Sequence, residues 1–293
     1  MTMLKEGFFT ALGTPLDDQG AIIIESLKKQ IEDQIAAGAA GLFLFGTMGM
    51  GGCVKNSEYE GGIKAAVEAV DNRCALLVSA SENSLAKVAE KLAVCGDKDI
   101  AGVVMTAPYY FKSGDPAVVN FLKKSAAMTK QDFYLYDHEP ITKHKLNMGM
   151  LREVADAENF KGLKTFDLVF AKQSIANPVK EDFTMVFSGS DLFDLAIPYG
   201  MRRYMDGIFA CMPKNIAKVQ KAFAGGDNDG AKKVLGEMMG FRDRMHANGI
   251  WVCFSYAMNL LGYAGNFAPD YELPVSDQGR EVVRDGLAGL GEI

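Results

Sequence analysis

One lysine stands at the end of a short apolar segment that is typical of a buried β-strand. The segment, FKGLKT at residues 160–165, places Lys164 on the same strand face as Gly162 and places Lys161 on the opposite face. If Lys164 points into an apolar interior, desolvation lowers its pKa and leaves a neutral amine, which condenses with a ketone or aldehyde to form a Schiff base. A lysine at a strand end can equally extend its ammonium group to solvent, and the segment alone leaves both interpretations open.

A tyrosine ends the apolar segment that precedes this one along the chain. In FYLYD, residues 133–137, Tyr134 and Tyr136 share a face. If the two segments are neighbouring strands, the phenol of Tyr136 lies near Lys164. There it can relay protons during carbinolamine formation and during cleavage or formation of a carbon–carbon bond. A core tyrosine whose hydroxyl is hydrogen-bonded elsewhere is the alternative interpretation.

A glycine-rich segment, Gly46-Thr47-Met48-Gly49, follows another apolar run. Its flanking glycines allow the backbone N–H groups of Thr47 and Met48 to converge on a carboxylate. The Thr47 hydroxyl can also extend a chain of proton donors that includes a tyrosine. Such loops are common after strands, so this segment gains meaning only beside the lysine and the tyrosine.

The elements that must position these side chains are eight short apolar runs separated by segments of helical period. Near-continuous hydrophobicity is typical of strands that are buried on both faces. The segments between the runs show helical spacing, as in Ile24, Leu27 and Ile31, and Ser57 with Glu60 fits a capping box. The runs begin at residues 8, 41, 75, 102, 133, 162, 184 and 207.

Eight strand–helix units predict an α/β fold, a TIM (β/α)₈ barrel, whose functional side chains lie at the carboxyl ends of its strands. A doubly wound sheet is the alternative, but it rarely contains eight such even units. After the eighth run the pattern becomes wholly helical. We therefore expect a barrel over residues 1–225 and a C-terminal helical extension over residues 226–293.

Five short motifs occur along the chain in one order. They are G-T-x-G at 46–49, P-Y-Y at 108–110, a tyrosine-to-proline segment at 136–140, G-x-K at 162–164 and S-G-x-D at 188–191. The opening TALGTPL at 10–16 and NLLG at 259–262 accompany them. Over nearly the whole chain, this set resembles the dihydrodipicolinate synthase and N-acetylneuraminate lyase family.

The resemblance implies class I aldolase chemistry, with no metal and no cofactor. Lys164 would form the Schiff base with pyruvate or a 2-keto acid, and Tyr136 would be the general acid and base. Thr47 and Tyr110 would complete the proton relay, with Tyr110 entering from a neighbouring subunit. The family pattern therefore implies a homo-oligomer, either a dimer or a homotetramer.

The same resemblance implies a set of substrate-binding groups. The backbone amides of Thr47 and Met48, next to Gly46, would hold the pyruvate carboxylate. The carbonyl of Phe209, after the eighth strand, would line the pocket. The other positions expected to contact substrate are Gly189, Asp137 and His138, of which the last two would adjust specificity at the pocket mouth.

The chain departs from the family pattern in two loops. Met48 and Met50 replace a second threonine and a glutamate in the loop after the second strand. The segment at 141–145 lacks the arginine that would bind the carboxylate of the aldehyde substrate, and Lys143 or His144 are the candidates to replace it. These departures favour an acceptor aldehyde, or another 2-keto acid, that differs from the substrate of dihydrodipicolinate synthase proper.

Composition excludes several other classes of protein. A net charge of −6 without any basic run argues against nucleic acid as a partner and against an anionic membrane surface. The five cysteines are scattered without any C-x-x-C pair, which favours a reducing, cytoplasmic location over a disulfide framework. Glycines and asparagine interrupt the two long uncharged stretches, 34–54 and 247–269, so we expect both in a globular core.

A metal-dependent aldolase is a weaker hypothesis. The chain contains three histidines, and the neighbouring residues His138 and Glu139 rarely chelate one ion from an extended backbone. The functions left open are a lyase or aldolase acting on pyruvate, dihydrodipicolinate synthase proper, and a keto-acid dehydratase or decarboxylase that uses the same lysine. A non-catalytic barrel that binds a keto acid is the alternative of another class.

Overall fold

A closed barrel of eight parallel strands organises the chain. The computed structural model describes residues 4–293, and each strand pairs with the next along the sequence, while the last pairs with the first. The predicted TIM barrel is confirmed. The strands are β1 Gly7–Ala11, β2 Gly41–Leu44, β3 Ala75–Ser79, β4 Gly102–Thr106, β5 Phe133–Asp137, β6 Phe160–Thr165, β7 Thr184–Phe187 and β8 Arg203–Asp206.

The strands are apolar on both faces because each face is covered. Inward side chains such as Phe9, Phe43 and Val104 fill the barrel, whereas outward ones such as Phe8 and Leu42 pack under the helices. This two-sided burial is the reason that the strands read as continuous apolar runs rather than as alternating ones.

Within residues 4–293, twelve α-helices cover the barrel and extend it. They are α1 Ile24–Ala36, α2 Asn56–Val70, α3 Leu85–Cys95, α4 Asp115–Ala127, α5 Glu139–Thr142, α6 Met148–Val154, α7 Leu168–Ala176, α8 Phe193–Ala196, α9 Pro213–Ala224, α10 Asn228–His246, α11 Ile250–Leu260 and α12 Asp277–Gly289. Short 3₁₀ turns occur at Ser190–Leu192, Ile197–Tyr199 and Ile208–Cys211.

Two local predictions were wrong. The apolar run 207–210 was expected to be the eighth strand, but β8 precedes it, and this run forms most of the 3₁₀ turn. The run is buried under the C-terminal helices rather than in the barrel, so its hydrophobicity did not mark a strand. The capping box at Ser57 is also absent, because α2 begins after Lys55 and has no side-chain cap.

The C-terminal helices lie where the helical pattern predicted them. Phe241 and Met238 on α10 and Phe254 on α11 join the same apolar core as Phe8 of the barrel. The Glu292 carboxylate also accepts hydrogen bonds from the Asn215 backbone and side chain at the start of α9. The boundary at residue 225 stays a prediction, since the two parts share one core. Among residues 4–293, no helix combines the length and the hydrophobicity that crossing a bilayer requires.

Candidate active site

Lys164 and Tyr136 lie side by side at the carboxyl end of the barrel. Strands β5 and β6 pair in a register that sets the two residues opposite each other, and both side chains are nearly fully buried. The Lys164 Nζ lies 3.5 Å from the centroid of the Tyr136 ring and 5.6 Å from that of Phe43. The lysine therefore points into the barrel, as the first of the two interpretations of its segment required.

The surroundings of the Lys164 amine favour its neutral form. Burial lowers the pKa of Lys164 from 10.5 to about 7, while the negative charge of Asp206 opposes this shift. Within the described part of the chain, the Nζ has neither an ion-pair partner nor a hydrogen-bond acceptor. Aromatic ring faces replace water around it. A neutral, poorly solvated amine is the form of lysine that attacks carbonyl carbon.

The Tyr136 phenol stays protonated at neutral pH. Burial raises the pKa of Tyr136, and the neighbouring Thr47 side chain lowers it in part. A protonated phenol beside a second hydroxyl can donate a proton and recover it. Lys164, Tyr136 and Thr47 thus form one cluster from three separate segments of the chain.

The loop after β2 is tightly folded around Phe45. Phe45 and Met50 both have positive φ angles, of 58° and 51°, which non-glycine residues rarely adopt. A methyl group on Gly51 would overlap the Phe45 carbonyl oxygen. Backbone strain of this kind persists only where surrounding packing enforces it, and it is frequent at ligand sites.

This loop presents two backbone donors near the cluster. The N–H groups of Thr47 and Met48 donate to no acceptor among residues 4–293, whereas those of Met50 and Gly51 close the turn onto Thr47 and Gly46. The Met48 side chain packs against Gly207, which follows β8. The substitution of methionine for a hydroxyl-bearing residue at this position therefore leaves its backbone amide available.

A cleft of about 370 Å³ opens above Tyr136 and Thr47. Its walls come from the loop after β2, the ends of β3 and β4, helix α5 and the C-terminal extension. The lining residues are Phe45, Gly46, Thr47, Met50, Gly51, Gly52, Cys53, Ser79, Ser81, Thr106, Tyr109, Tyr136, Ile141, Trp251, Pro269 and Tyr271. The sequence did not single out Trp251 or Tyr271, because no motif marks them.

Thr106 is a further cleft residue that sequence reasoning missed. It ends β4 directly opposite Tyr136, and its buried Oγ1 has no hydrogen-bond partner. The alternation of β4 was the available signal, since Thr106 shares a face with the inward residue Val104.

Tyr110 does not join the cluster within one chain. Its side chain is 71% exposed and packs edge-to-face on the equally exposed Phe111. The Asn83 side-chain oxygen accepts hydrogen bonds from the backbone N–H groups of Tyr109 and Tyr110, which fixes the loop. Tyr109, rather than Tyr110, lines the cleft of its own chain.

Asp137 is engaged elsewhere. Its carboxylate pairs with Lys145 and accepts hydrogen bonds from the Thr165 hydroxyl and the Leu146 backbone. These contacts tie β5 to β6 and to the segment before α6. The carboxylate is engaged in these contacts, and Asp137 is not among the residues that line the cleft.

His138 lies beside the cluster. Its ring packs edge-on against Tyr136 at 5.0 Å, and its buried Nδ1 has no hydrogen-bond partner. Burial, followed by the positive charge of Lys164, lowers the pKa of His138 to about 4. The imidazole is therefore neutral near pH 7 and can either donate or accept one hydrogen bond at the pocket mouth.

The remaining predicted residues fall on the loops after β7 and β8. Gly189 is buried, and a methyl group on it would meet the Phe187 ring. The Phe209 carbonyl accepts hydrogen bonds from the Gln34 side chain and from the Met212 backbone. The early end of β8 moves this carbonyl into the layer between the barrel and its helices, and we omit Phe209 from the proposed site.

Metal ligands do not gather at this site. Across residues 4–293, no three histidine, cysteine or acidic side chains are arranged to hold an ion.

Comparison with known proteins agrees with this architecture. Residues 4–287 match the model of the dihydrodipicolinate synthetase family. The chain is 25% identical over 291 residues to a 4-hydroxy-tetrahydrodipicolinate synthase of Methanosarcina barkeri, covering 98% of this chain and 99% of that one.

Two solved structures share the fold. One is a dihydrodipicolinate synthase of Thermotoga maritima, with a TM-score of 0.89, 20% identity and coverage of 99% of this chain and 100% of that one. The other is a prophage protein of the dihydrodipicolinic acid synthase family from Escherichia coli K12, in complex with pyruvate. Its TM-score is 0.87 at 18% identity, with coverage of 98% of this chain and 99% of that one.

Proposed function

The chain belongs to the dihydrodipicolinate synthetase family, and we propose that it is a lyase that joins pyruvate to, or releases it from, a small aldehyde or 2-keto acid through a Schiff base. The observation that carries this proposal is the buried Lys164 amine, with a pKa of about 7, lying against the phenol of Tyr136. Burying an amine without a partner costs stability. A reactive nucleophile explains why the chain retains it.

The proposed reaction begins with attack of the neutral Lys164 amine on the keto carbon of pyruvate. The carbinolamine forms when its oxygen takes a proton from Tyr136, and loss of water then gives the iminium ion. The iminium withdraws electrons, so the Tyr136 phenolate removes a proton from the pyruvate methyl group to form an enamine. The enamine carbon attacks the aldehyde, whose oxygen takes that proton back from Tyr136, and hydrolysis of the resulting iminium releases the product and the lysine amine.

Thr47 has two roles in this proposal. Its hydroxyl passes protons between Tyr136 and the outer part of the site, as its position beside Tyr136 in the cleft lining supports. Its backbone N–H and that of Met48 hold the pyruvate carboxylate, since both donors lack a partner and lie next to Gly46 at the cleft. His138, which follows β5, and Gly189, which comes after β7, are proposed to border the site.

We propose that Tyr110 completes the relay in a neighbouring subunit. Its exposure gives it no role in its own chain, whereas a rigid loop that projects two aromatic rings is suited to insertion into a second copy. The proposal therefore includes a homo-oligomer, either a dimer or a tetramer. The reaction needs neither metal nor cofactor, and the five free thiols suit a cytoplasmic location.

Borohydride trapping tests the proposal. Incubation with pyruvate and borohydride should add the mass of one reduced pyruvate to the protein, and peptide mapping should place it on Lys164. Lys164→Ala should abolish the adduct. The matched control is Lys161→Met on the same strand, because Lys161 faces outward and pairs with Asp182. An adduct that persists in Lys164→Ala, or none in the parent protein, would refute the proposal.

A further inference from the structure

Among residues 4–293, none of those that line the cleft above Tyr136 carries a charged side chain. We propose that the second substrate is an aldehyde whose distal part is uncharged and apolar, rather than one that ends in a carboxylate. This inference rests on the proposed function and specifies its acceptor. Since an unpaired carboxylate loses several kcal/mol on leaving water, the cleft discriminates against it.

The two residues expected to bind an acceptor carboxylate do not line the cleft. His144 is buried, with its Nδ1 3.0 Å from the Ser113 carbonyl oxygen and its Nε2 3.5 Å from the Asp115 carboxylate. Lys143 is exposed at the end of α5, in a left-handed conformation, and is absent from the lining. The segment at 141–145 therefore supplies Ile141 to the cleft, but no cation.

Lys145 is also occupied. It pairs with Asp137 and Asp167, and its Nζ lies 4.6 Å from the centroid of the Phe170 ring. Those two carboxylates already neutralise the charge of Lys145, so the lysine does not offer a free cation to a substrate carboxylate.

The lining instead suits an apolar body with one polar end. Aromatic rings from Tyr109, Trp251 and Tyr271 stand at the outer part of the cleft, with Ile141 and Pro269 beside them. Planar and aliphatic surfaces of this kind bind apolar groups by removing them from water.

The ends of β4 and β5 supply two polar groups to the cleft, Thr106 and Tyr136. The Thr106 Oγ1 is buried without a partner, opposite Tyr136 in the strand register. A hydroxyl there can donate a hydrogen bond to the aldehyde oxygen where the new bond forms. The arrangement thus orients an aldehyde with its carbonyl inward and its apolar end outward.

A pair of aldehydes of equal shape tests this inference. Succinate semialdehyde and 4-methylpentanal differ in that a carboxylate replaces an isopropyl group. With pyruvate as the donor, we expect kcat/KM to be at least about 100-fold higher for 4-methylpentanal, because the carboxylate would be desolvated without a partner. Equal values, or a preference for succinate semialdehyde, would overturn the inference.

A charge added to the lining provides a second test. Ile141 is 39% exposed, so a longer side chain fits there without repacking the core. Ile141→Arg should shift the ratio of the two kcat/KM values toward succinate semialdehyde by at least about 10-fold. The matched control, Ile141→Gln, adds length and polarity without charge and should not shift it. An equal shift in both variants would contradict the role given to charge.

These outcomes separate the inference from the proposed function. If borohydride traps pyruvate on Lys164 and succinate semialdehyde is preferred, the inference fails alone. If no adduct forms on Lys164, both fail.

Discussion

At the scale of single residues, the account depends on a lysine that is buried without a partner. The strand alternation in FKGLKT predicted that its two lysines lie on opposite faces but left open which one faces inward, and the structure places Lys164 inside and Lys161 on the outside with Asp182. The sequence could not predict the effect of Asp206, because that residue comes from a distant strand and acts on Lys164 through space. The same limit applies to Asp137, whose partners Lys145 and Thr165 are set by tertiary structure.

The rate of Schiff-base formation should depend on pH through the lysine. Because the folded-state pKa of Lys164 is about 7, the reactive neutral amine is scarce below pH 7 and dominant above it. The rate of trapping with pyruvate should therefore rise through pH 7 and level off by about pH 8.5. Trapping reactions that are quenched at set times across a pH series, and analysed by intact-protein mass spectrometry, measure this profile.

Asp206→Asn provides the contrast for this profile. The charge of Asp206 raises the pKa of Lys164, so its removal should move the midpoint to lower pH. A midpoint near 10 in the parent protein would show that the amine is solvated, contrary to the structure.

Tyr136→Phe should separate binding from turnover. The variant keeps the ring beside Lys164 but loses the proton donor, so trapping should persist while kcat falls by roughly 10²-fold or more. Tyr134→Phe is the matched control, since Tyr134 lies on the same strand and face but one layer deeper in the barrel. Equal kcat values for Tyr136→Phe and the parent would remove the phenol from the mechanism.

At the scale of elements, the strand–helix periodicity predicted most of the architecture, and irregular segments escaped it. Eight apolar runs predicted eight strands, but the run after residue 206 is a buried 3₁₀ turn. In sequence, a buried turn of this kind is as hydrophobic as a buried strand. The loop after β2 illustrates a second limit. Its glycines suggested a tight turn, whereas nothing in the sequence marks the positive φ of Phe45, whose ring packs against Tyr59 at 4.2 Å between centroids.

Gly51→Ala should damage this loop. The added methyl group would overlap the Phe45 carbonyl oxygen, which belongs to the backbone and cannot rotate away. We expect a loss of stability of about 1–3 kcal/mol and a weaker affinity for pyruvate, because the Thr47 and Met48 amides would shift. Urea unfolding and the pyruvate dependence of trapping measure the two effects.

Gly61→Ala is the control for this substitution. Gly61 lies in α2 with nothing within 4 Å of an added methyl group, and alanine favours a helix. It should leave trapping unchanged. If Gly51→Ala behaved in the same way, the loop would not need its present conformation.

At the scale of the whole molecule, the C-terminal extension completes the cleft that the barrel begins. The extension supplies Trp251 and Tyr271 to the cleft and buries apolar side chains in the shared core. Helical periodicity predicted the helices of the extension. It could not predict that they contribute residues to the cleft, because no pattern in one sequence shows which loops meet.

The exposed pair Tyr110 and Phe111 should mark an interface between copies. Exposed aromatic rings that lie edge-to-face on a fixed loop would be costly to leave in water. Phe111→Asp should lower the oligomeric state. Tyr110→Phe should lower kcat and leave the oligomeric state unchanged. Sedimentation velocity and steady-state kinetics distinguish these effects. A parent protein that sediments as a monomer with full activity would contradict the role proposed for Tyr110.

A structure of the protein soaked with pyruvate would show the proposed Schiff base itself. We expect continuous density from the Lys164 Nζ to the keto carbon of pyruvate, with the pyruvate carboxylate on the Thr47 and Met48 amides and the Tyr136 hydroxyl within hydrogen-bond reach of the reacting centre. Intact pyruvate bound at another position, beside an unmodified Lys164, would contradict this proposal.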